Sequence, residues 1–284
     1  LAAPNGAGDG LIAQVPHSVV FSFNNCMMIS TSSAFFSAHP GHELRIHGWL
    51  SQQKPLCFVL TTGARSGTDS ARLVATSDLI ESMSGRRASI FGDLLDRELY
   101  SQVLAGDASR MEHLVRVTIN TLIANEVTVL VVDGWQLYSV SHDLAHVMGR
   151  IAAQHASLAL KREITVLQYM VVPNAISGAS DMGKCVGVVE LSEDELRAKQ
   201  RAIEGYPGID GEREEIAKIE GLHALGAEYF FVPPDLKLLL EKPQIKPLYE
   251  QYGEERVQRG VYREVIRWRH VEAILAQLAK SFEI

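Results

Sequence analysis

Two groups of histidines in this chain have the residue types and spacing for chemistry. His39-Pro40-Gly41-His42-Glu43 sets two imidazoles three positions apart in a turn, and Ser141-His142-Asp143 with His146 sets two more at i,i+4 spacing. Imidazole suits divalent first-row metals, and three protein ligands with an open position is the form that catalytic zinc takes. Such an ion acidifies water, and a positioned carboxylate that takes the proton adds about 10²–10⁴-fold to hydrolysis. Asp133, Asp143 and Glu43 are the carboxylates that could fill that role, and Tyr138 could polarise a carbonyl. Each has a plainer reading. Asp133 could cap a strand end, Glu43 could be a first-turn carboxylate favoured by the helix dipole, and Tyr138 could simply pack. A lone histidine is more often structural than a ligand, so His17, His113, His155, His223 and His270 are left as structural.

The elements that must position these residues can be read from periodicity. Short apolar runs at 34–36 (AFF), 57–60 (CFVL), 127–132 (VTVLVV) and 164–172 (ITVLQYMVV) have the character of buried strands. Helical spacing fills the intervals at 43–53, 68–84, 108–125 and 143–158. Strands alternating with helices of this length predict a Rossmann-like α/β fold, a mostly parallel sheet with helices on both faces. In such sheets ligands bind outside the carboxyl ends of the strands. His39 to Glu43, Thr61-Thr62-Gly63, Asp133 and the Ser141 to His146 segment all fall at such ends. Beyond Pro173 the pattern becomes charged and amphipathic, with helices expected over 191–204, 211–225 and 261–282. The chain therefore divides into an N-terminal extension (1–33, with a strand-like stretch at 18–23), an α/β core carrying the site (34–190), and a helical C-terminal cap of the same domain (191–284).

Composition narrows the function classes. The 284 residues, 46% hydrophobic and 21% charged, match a globular chain that folds alone. A net charge of −7 with no Lys/Arg block leaves no footprint for nucleic acid. No apolar run reaches the roughly 18 residues of a membrane span. Cys26, Cys57 and Cys185 are odd in number and widely spaced, which fits neither a disulfide framework nor a CxxC metal clip and points to a reducing, cytoplasmic setting. Residues 1–10 are small and Gly-rich without a basic lead into an apolar run, so they do not read as a secretory signal; a start at Leu1 suggests a trimmed chain. The expected partner is a small-molecule substrate, and a homo-oligomer is left open. Arg65-Ser66-Gly67-Thr68 could cradle an anion at a helix N-terminus or form a capped turn. Arginines interleaved with aromatics around Arg263 could bind an anionic or ring-bearing substrate, or form a solvated face paired with Glu254, Glu255, Glu264 and Glu272.

The order of these motifs resembles the PIG-L/LmbE-like (N-acetylglucosaminyl-phosphatidylinositol de-N-acetylase) family of metal-dependent deacetylases, as a divergent member. Phe36-Ser37-Ala38-His39-Pro40-Gly41-His42-Glu43 is similar to the family's strand-Ala-His-Pro-Asp-Asp-Glu opening. Thr61-Thr62-Gly63 matches its Thr-x-Gly loop, Val140-Ser141-His142-Asp143 its later histidine segment, and Glu195 to Lys199 through Tyr206 its Lys-containing helix. The likeness covers roughly residues 34 to 207. It implies a divalent ion, zinc first, held by His39, by His42 in place of the family's carboxylate ligand, and by His142; independently of the resemblance, the i,i+4 spacing of His142 and His146 could put both on the metal, with ferrous iron as the alternative ion. The resemblance also implies a lost base, because Gly41 stands where the family has an aspartate, so Asp133, Asp143 or Glu43 would have to substitute. Thr62, Arg65 and Arg263 are the candidate substrate contacts. The expected function is a metal-dependent hydrolase of an amide or acyl bond on a small polar, sugar-like metabolite. The alternatives are a metal-dependent enzyme of different chemistry on the same fold, or a catalytically silent binding protein.

Overall fold

The computed structural model describes residues 32–63, 71–172, 182–209 and 225–284. The strand expected at 18–23, nearly all of the 211–225 helix and the Arg65 loop lie outside them.

β1 (Ser33–Ser37) leads through a 3₁₀ turn (His42–Ile46) into α1 (His47–Gln53), followed by β2 (Leu56–Thr61), α2 (Ala71–Ser82) and β3 (Arg86–Leu94). Then come α3 (Asp96–Ala105), α4 (Ser109–Ala124), β4 (Val129–Asp133), α5 (Val140–Leu160) and β5 (Thr165–Tyr169). The remainder comprises β6 (Cys185–Glu190), α6 (Glu193–Gly205), β7 (Ala227–Phe231), α7 (Leu236–Leu239), α8 (Leu248–Gln258) and α9 (Trp268–Ser281).

Seven strands form one sheet in the order β3-β2-β1-β4-β5-β7-β6. β3 through β5 are parallel neighbours, whereas β7 runs antiparallel to both β5 and β6. The period-two alternation of strands explains the two cores. Ala34 and Phe36 of β1 join Phe58, Leu60, Leu130 and Val132 on the face covered by α4, α5 and α9. Phe35 joins Cys57, Val129, Val131 and Phe230 on the other face, against Ile46, Trp49 and Leu50. Strands buried on both faces must be apolar throughout, which is why VTVLVV and AFF read so clearly.

Several features differ from the sequence reading, which placed no strand at β3 or β6 and no helix at α3 or α8. β3 was hidden because it is an edge strand: RRASIFGDL buries only Ile90 and Leu94, and its charged residues blunt the open edge. The last third is not only a helical cap, since β7 enters the sheet between β5 and β6. The final helix starts at Trp268, not 261, where His270 Nδ1 accepts the Arg267 N–H at 3.0 Å and Glu250 accepts the Trp268 N–H at 2.7 Å. No helix among the described residues is long and apolar enough to cross a membrane.

The sheet order reverses direction between β1 and β4, the topological switch point where a crevice opens outside the strand ends. β1 delivers His39 and His42 there, and β4 delivers Asp133 and the approach to α5.

Candidate functional site

Gly41 makes the turn after β1. Its φ of +105° is a backbone state that side chains resist, and a Cβ there would stand 2.8 Å from an Arg72 guanidinium nitrogen and 3.4 Å from the Tyr206 ring. Arg72 donates to the Pro40 carbonyl at 2.7 Å. A guanidinium and a phenol ring therefore occupy the space into which an aspartate at position 41 would project. With the chain turned this way, His39 and His42 face the first turn of α5, where His142 sits. The ring centroids lie 5.4 Å apart for His39 and His42, 5.3 Å for His39 and His142, and 4.6 Å for His42 and His142.

Two of the rings are held from behind by carboxylates. Asp133, fully buried at the end of β4, accepts from the Ala38 N–H at 2.8 Å and the Tyr169 hydroxyl at 2.6 Å. Its third contact, 2.8 Å to His42 Nδ1, makes that nitrogen the donor and leaves the lone pair on Nε2. Asp96 opens α3 and lies 3.0 Å from His39 Nδ1, with the Thr61 hydroxyl 2.7 Å from the same nitrogen. Burial pushes the Asp96 carboxyl up, but hydrogen bonds from His39 and Thr61 outweigh it and hold the group below its ordinary range. Asp96 fixes a proton on His39 Nδ1, and on the other side of the ring Nε2 lies 2.7 Å from the Ser141 hydroxyl, from which it accepts when the ring is neutral. His142 is kept neutral by burial and by the His42 and His39 rings beside it, and its Nδ1 is buried without a hydrogen-bond partner.

Asp96 was missed in the sequence because its strand, β3, was missed; a carboxylate immediately after a strand end was the available signal. Ser141 lay within a noted motif but carried no role. The other expected site residues fall out differently. His146 donates from its Nδ1 to the Asp133 carbonyl at 2.7 Å and packs against Trp135, and its Nε2 is buried without a hydrogen-bond partner. Glu43 is fully buried and ties the Gly41 N–H at 2.8 Å to the Thr76 hydroxyl at 2.6 Å, a loop-holding role. Asp143 accepts from the Gln136 and Leu137 N–H groups at 3.3 and 3.2 Å, which folds the loop before α5. Both oxygens of Asp133 and of Glu43 are engaged by hydrogen bonds, whereas both bonds to Asp143 fall on Oδ1 and its Oδ2 is buried without a hydrogen-bond partner. Tyr138 packs against His142 at 6.1 Å and Tyr252 at 5.5 Å. Thr62 is buried beside β3, its N–H donating to the Leu94 carbonyl at 2.9 Å. Arg263 is exposed between α8 and α9, while Arg267 nearby pairs with Glu250 at 3.1 Å and with Glu254.

Burial pushes the Asp143 carboxyl up from 3.8 to about 8, so the folded chain keeps a proton that the unfolded chain releases. The stabilising effect of that proton is fully present below pH 3.8 and is lost as pH rises through about 8. The buried histidines act in a lower window, since His47 is lowered to about 4 and His146 to about 3. In metal-free protein, stability between pH 6.5 and 8 is therefore expected to fall as pH rises, by up to about 1.4 kcal/mol per unit from Asp143. Buried Glu43, also raised, adds in the same direction. Asp143→Asn, which keeps the acceptor oxygen, should flatten its share of the slope; urea unfolding at half-unit pH steps measures it, and an unchanged slope would contradict the assignment.

Three imidazoles on one tetrahedral ion, with nitrogens about 2.0–2.1 Å from it, have ring centroids roughly 5 Å apart. The donor chemistry here fits a divalent ion: three imidazoles, two of them backed by carboxylates in the manner of metal-ligating histidines, and a buried His142 nitrogen without a hydrogen-bond partner. As they stand, no group of three or more His, Cys, Asp or Glu side chains among the described residues is set to hold a metal ion. The nitrogen of His39 that would serve is engaged by Ser141.

No protein-family model and no curated protein matches the chain. Among solved structures it is similar to the A40926 pseudoaglycone deacetylase Dbv21, with 14% identity over 72% of this chain and 97% of that one, TM-score 0.43. It is also similar to the zinc-inhibited form of the teicoplanin deacetylase Orf2, with 14% identity, coverage of 80% and 94%, and TM-score 0.44. A deacetylase–teicoplanin complex gives 14% identity, coverage of 72% and 100%, and TM-score 0.46. Likenesses this distant do not bear on what the chain does; the strand order and the residues gathered at its switch point define it as a Rossmann-like, mostly parallel α/β protein.

Proposed function

We propose that this chain is a metal-dependent hydrolase of the deacetylase-like class, cleaving an amide or related acyl bond on a small polar, sugar-like substrate. The observation that carries the reading is the packing of His39, His42 and His142 against one another with Asp96 and Asp133 behind the first two. His39, His42 and His142 would hold the ion, zinc first and ferrous iron as the alternative. When bound there, the ion supplies Lewis-acid polarisation of a carbonyl and a more acidic water.

The chain's own groups do the rest. Asp133 and Asp96 keep their imidazoles in the tautomer that presents Nε2, and they resist rotation of the rings. Asp143 and Glu43 shape the two loops that carry the histidines. No carboxylate stands at position 41, so proton transfer is weakened relative to a site with a dedicated base, by about 10²–10⁴-fold.

Metal analysis of protein purified without chelator, followed by turnover of N-acetylated amino sugars with and without added zinc or ferrous iron, tests the reading. One ion per chain and metal-dependent release of acetate are expected. A chain that takes up neither ion when supplied refutes it. The filling of the position-41 space by Arg72 favours one second reading, a silent binding protein, which predicts a bound ion without turnover of any acylated substrate.

A further inference from the structure

The Ser141 hydroxyl occupies the His39 nitrogen that the proposed metal set needs. Ser141 lies in the first turn of α5, fully buried, immediately before His142. Its Oγ is 2.7 Å from His39 Nε2 and 2.9 Å from Ser139 Oγ. The direction of the bond follows from the other side of the ring. Asp96 and Thr61 hold a proton on His39 Nδ1, so in the neutral ring that metal binding requires Nε2 is an acceptor and the serine O–H donates to it. Full burial of Ser141 also excludes direct attack by this hydroxyl on a substrate, although Asp96, His39 and Ser141 stand in a relay order.

We propose that Ser141 is a latch on the metal site: its hydroxyl satisfies His39 Nε2 in the empty protein, and an ion gains that nitrogen only by displacing it. This rests on the reading that His39, His42 and His142 are the ligands. The latch sets how tightly the ion is held and keeps a buried acceptor from being left unsatisfied when the site is empty. As a positioning residue it contributes nothing to the reacting atoms. Its removal should therefore strengthen metal binding, whereas removal of a ligand or of a supporting carboxylate weakens it.

The test is calorimetric titration of zinc chloride into chelator-stripped protein, comparing the native chain with Ser141→Ala and Ser141→Thr. Loss of one neutral hydrogen bond predicts that Ser141→Ala binds zinc about two- to tenfold more tightly, while Ser141→Thr, which keeps the hydroxyl, stays near the native affinity. A Ser141→Ala protein that binds zinc no more tightly than the native chain overturns the latch and leaves the metal site standing. Absence of binding of zinc, and of ferrous iron in a parallel anaerobic titration, in the native chain and in both variants, with thermal unfolding showing all three folded, overturns the metal reading itself.

Discussion

His39→Ala is expected to abolish metal retention and reduce turnover to background while the protein remains folded. Outer-shell partners of metal ligands are worth about 10–100-fold in affinity, so removing a ligand itself should cost more than about 100-fold. The side chain is replaceable as far as the fold is concerned. It contacts Thr61, Asp96 and Ser141 at the rim and belongs to neither hydrophobic core. Metal content by mass spectrometry and far-ultraviolet circular dichroism together decide the matter. Unchanged metal in a folded His39→Ala protein would remove this residue from the ligand set. His42→Asp is the complementary variant. A carboxylate at position 42 is also a zinc ligand, so metal should be retained, although Asp133 then faces a like charge in place of an imidazole.

The largest expected effect on stability lies across the sheet, at Glu228. This carboxylate on β7 is almost wholly buried and accepts from the Gly48 N–H at 2.9 Å, the Trp49 N–H at 2.8 Å and Lys199 Nζ at 2.8 Å. Gly48 and Trp49 open α1, so Glu228 satisfies amides that the helix itself cannot. The packing is close: a Cβ on Gly48 would come within 2.1 Å of the Leu191 side chain. Lys199 Nζ, equally buried, also donates to the Arg45 carbonyl at 2.9 Å. Glu228→Ala would leave a buried ammonium without its counter-charge and two buried amides without their acceptor, at about 3–5 kcal/mol out of the roughly 5–15 kcal/mol that holds a domain together. Urea unfolding should show a midpoint shift of that size. The double variant Lys199→Met with Glu228→Leu removes both charges and should recover most of the loss on the Lys199 side. A Glu228→Ala protein within about 0.5 kcal/mol of the native chain would show that the carboxylate carries little weight.

The sequence by itself determined the α/β class, four of the parallel strands and the placing of His39, His42 and His142 at strand ends. These rest on local pattern: strands buried on both faces must be continuously apolar, and a turn following them must carry what the crevice presents. Only the tertiary structure decided which groups stand behind the histidines. Asp96 lies 57 positions from His39 in the chain, on a helix following an edge strand whose polar sequence masked it. Asp133, expected to take a proton, proved to have its oxygens taken by Ala38, Tyr169 and His42. The same holds for Arg72 in the space beside Gly41, for Ser141 on His39, and for β7 inserted between β5 and β6. A hydrogen bond or ion pair between distant segments leaves no periodicity in either one, because its partners are matched by the path of the chain through space and not by their separation along it.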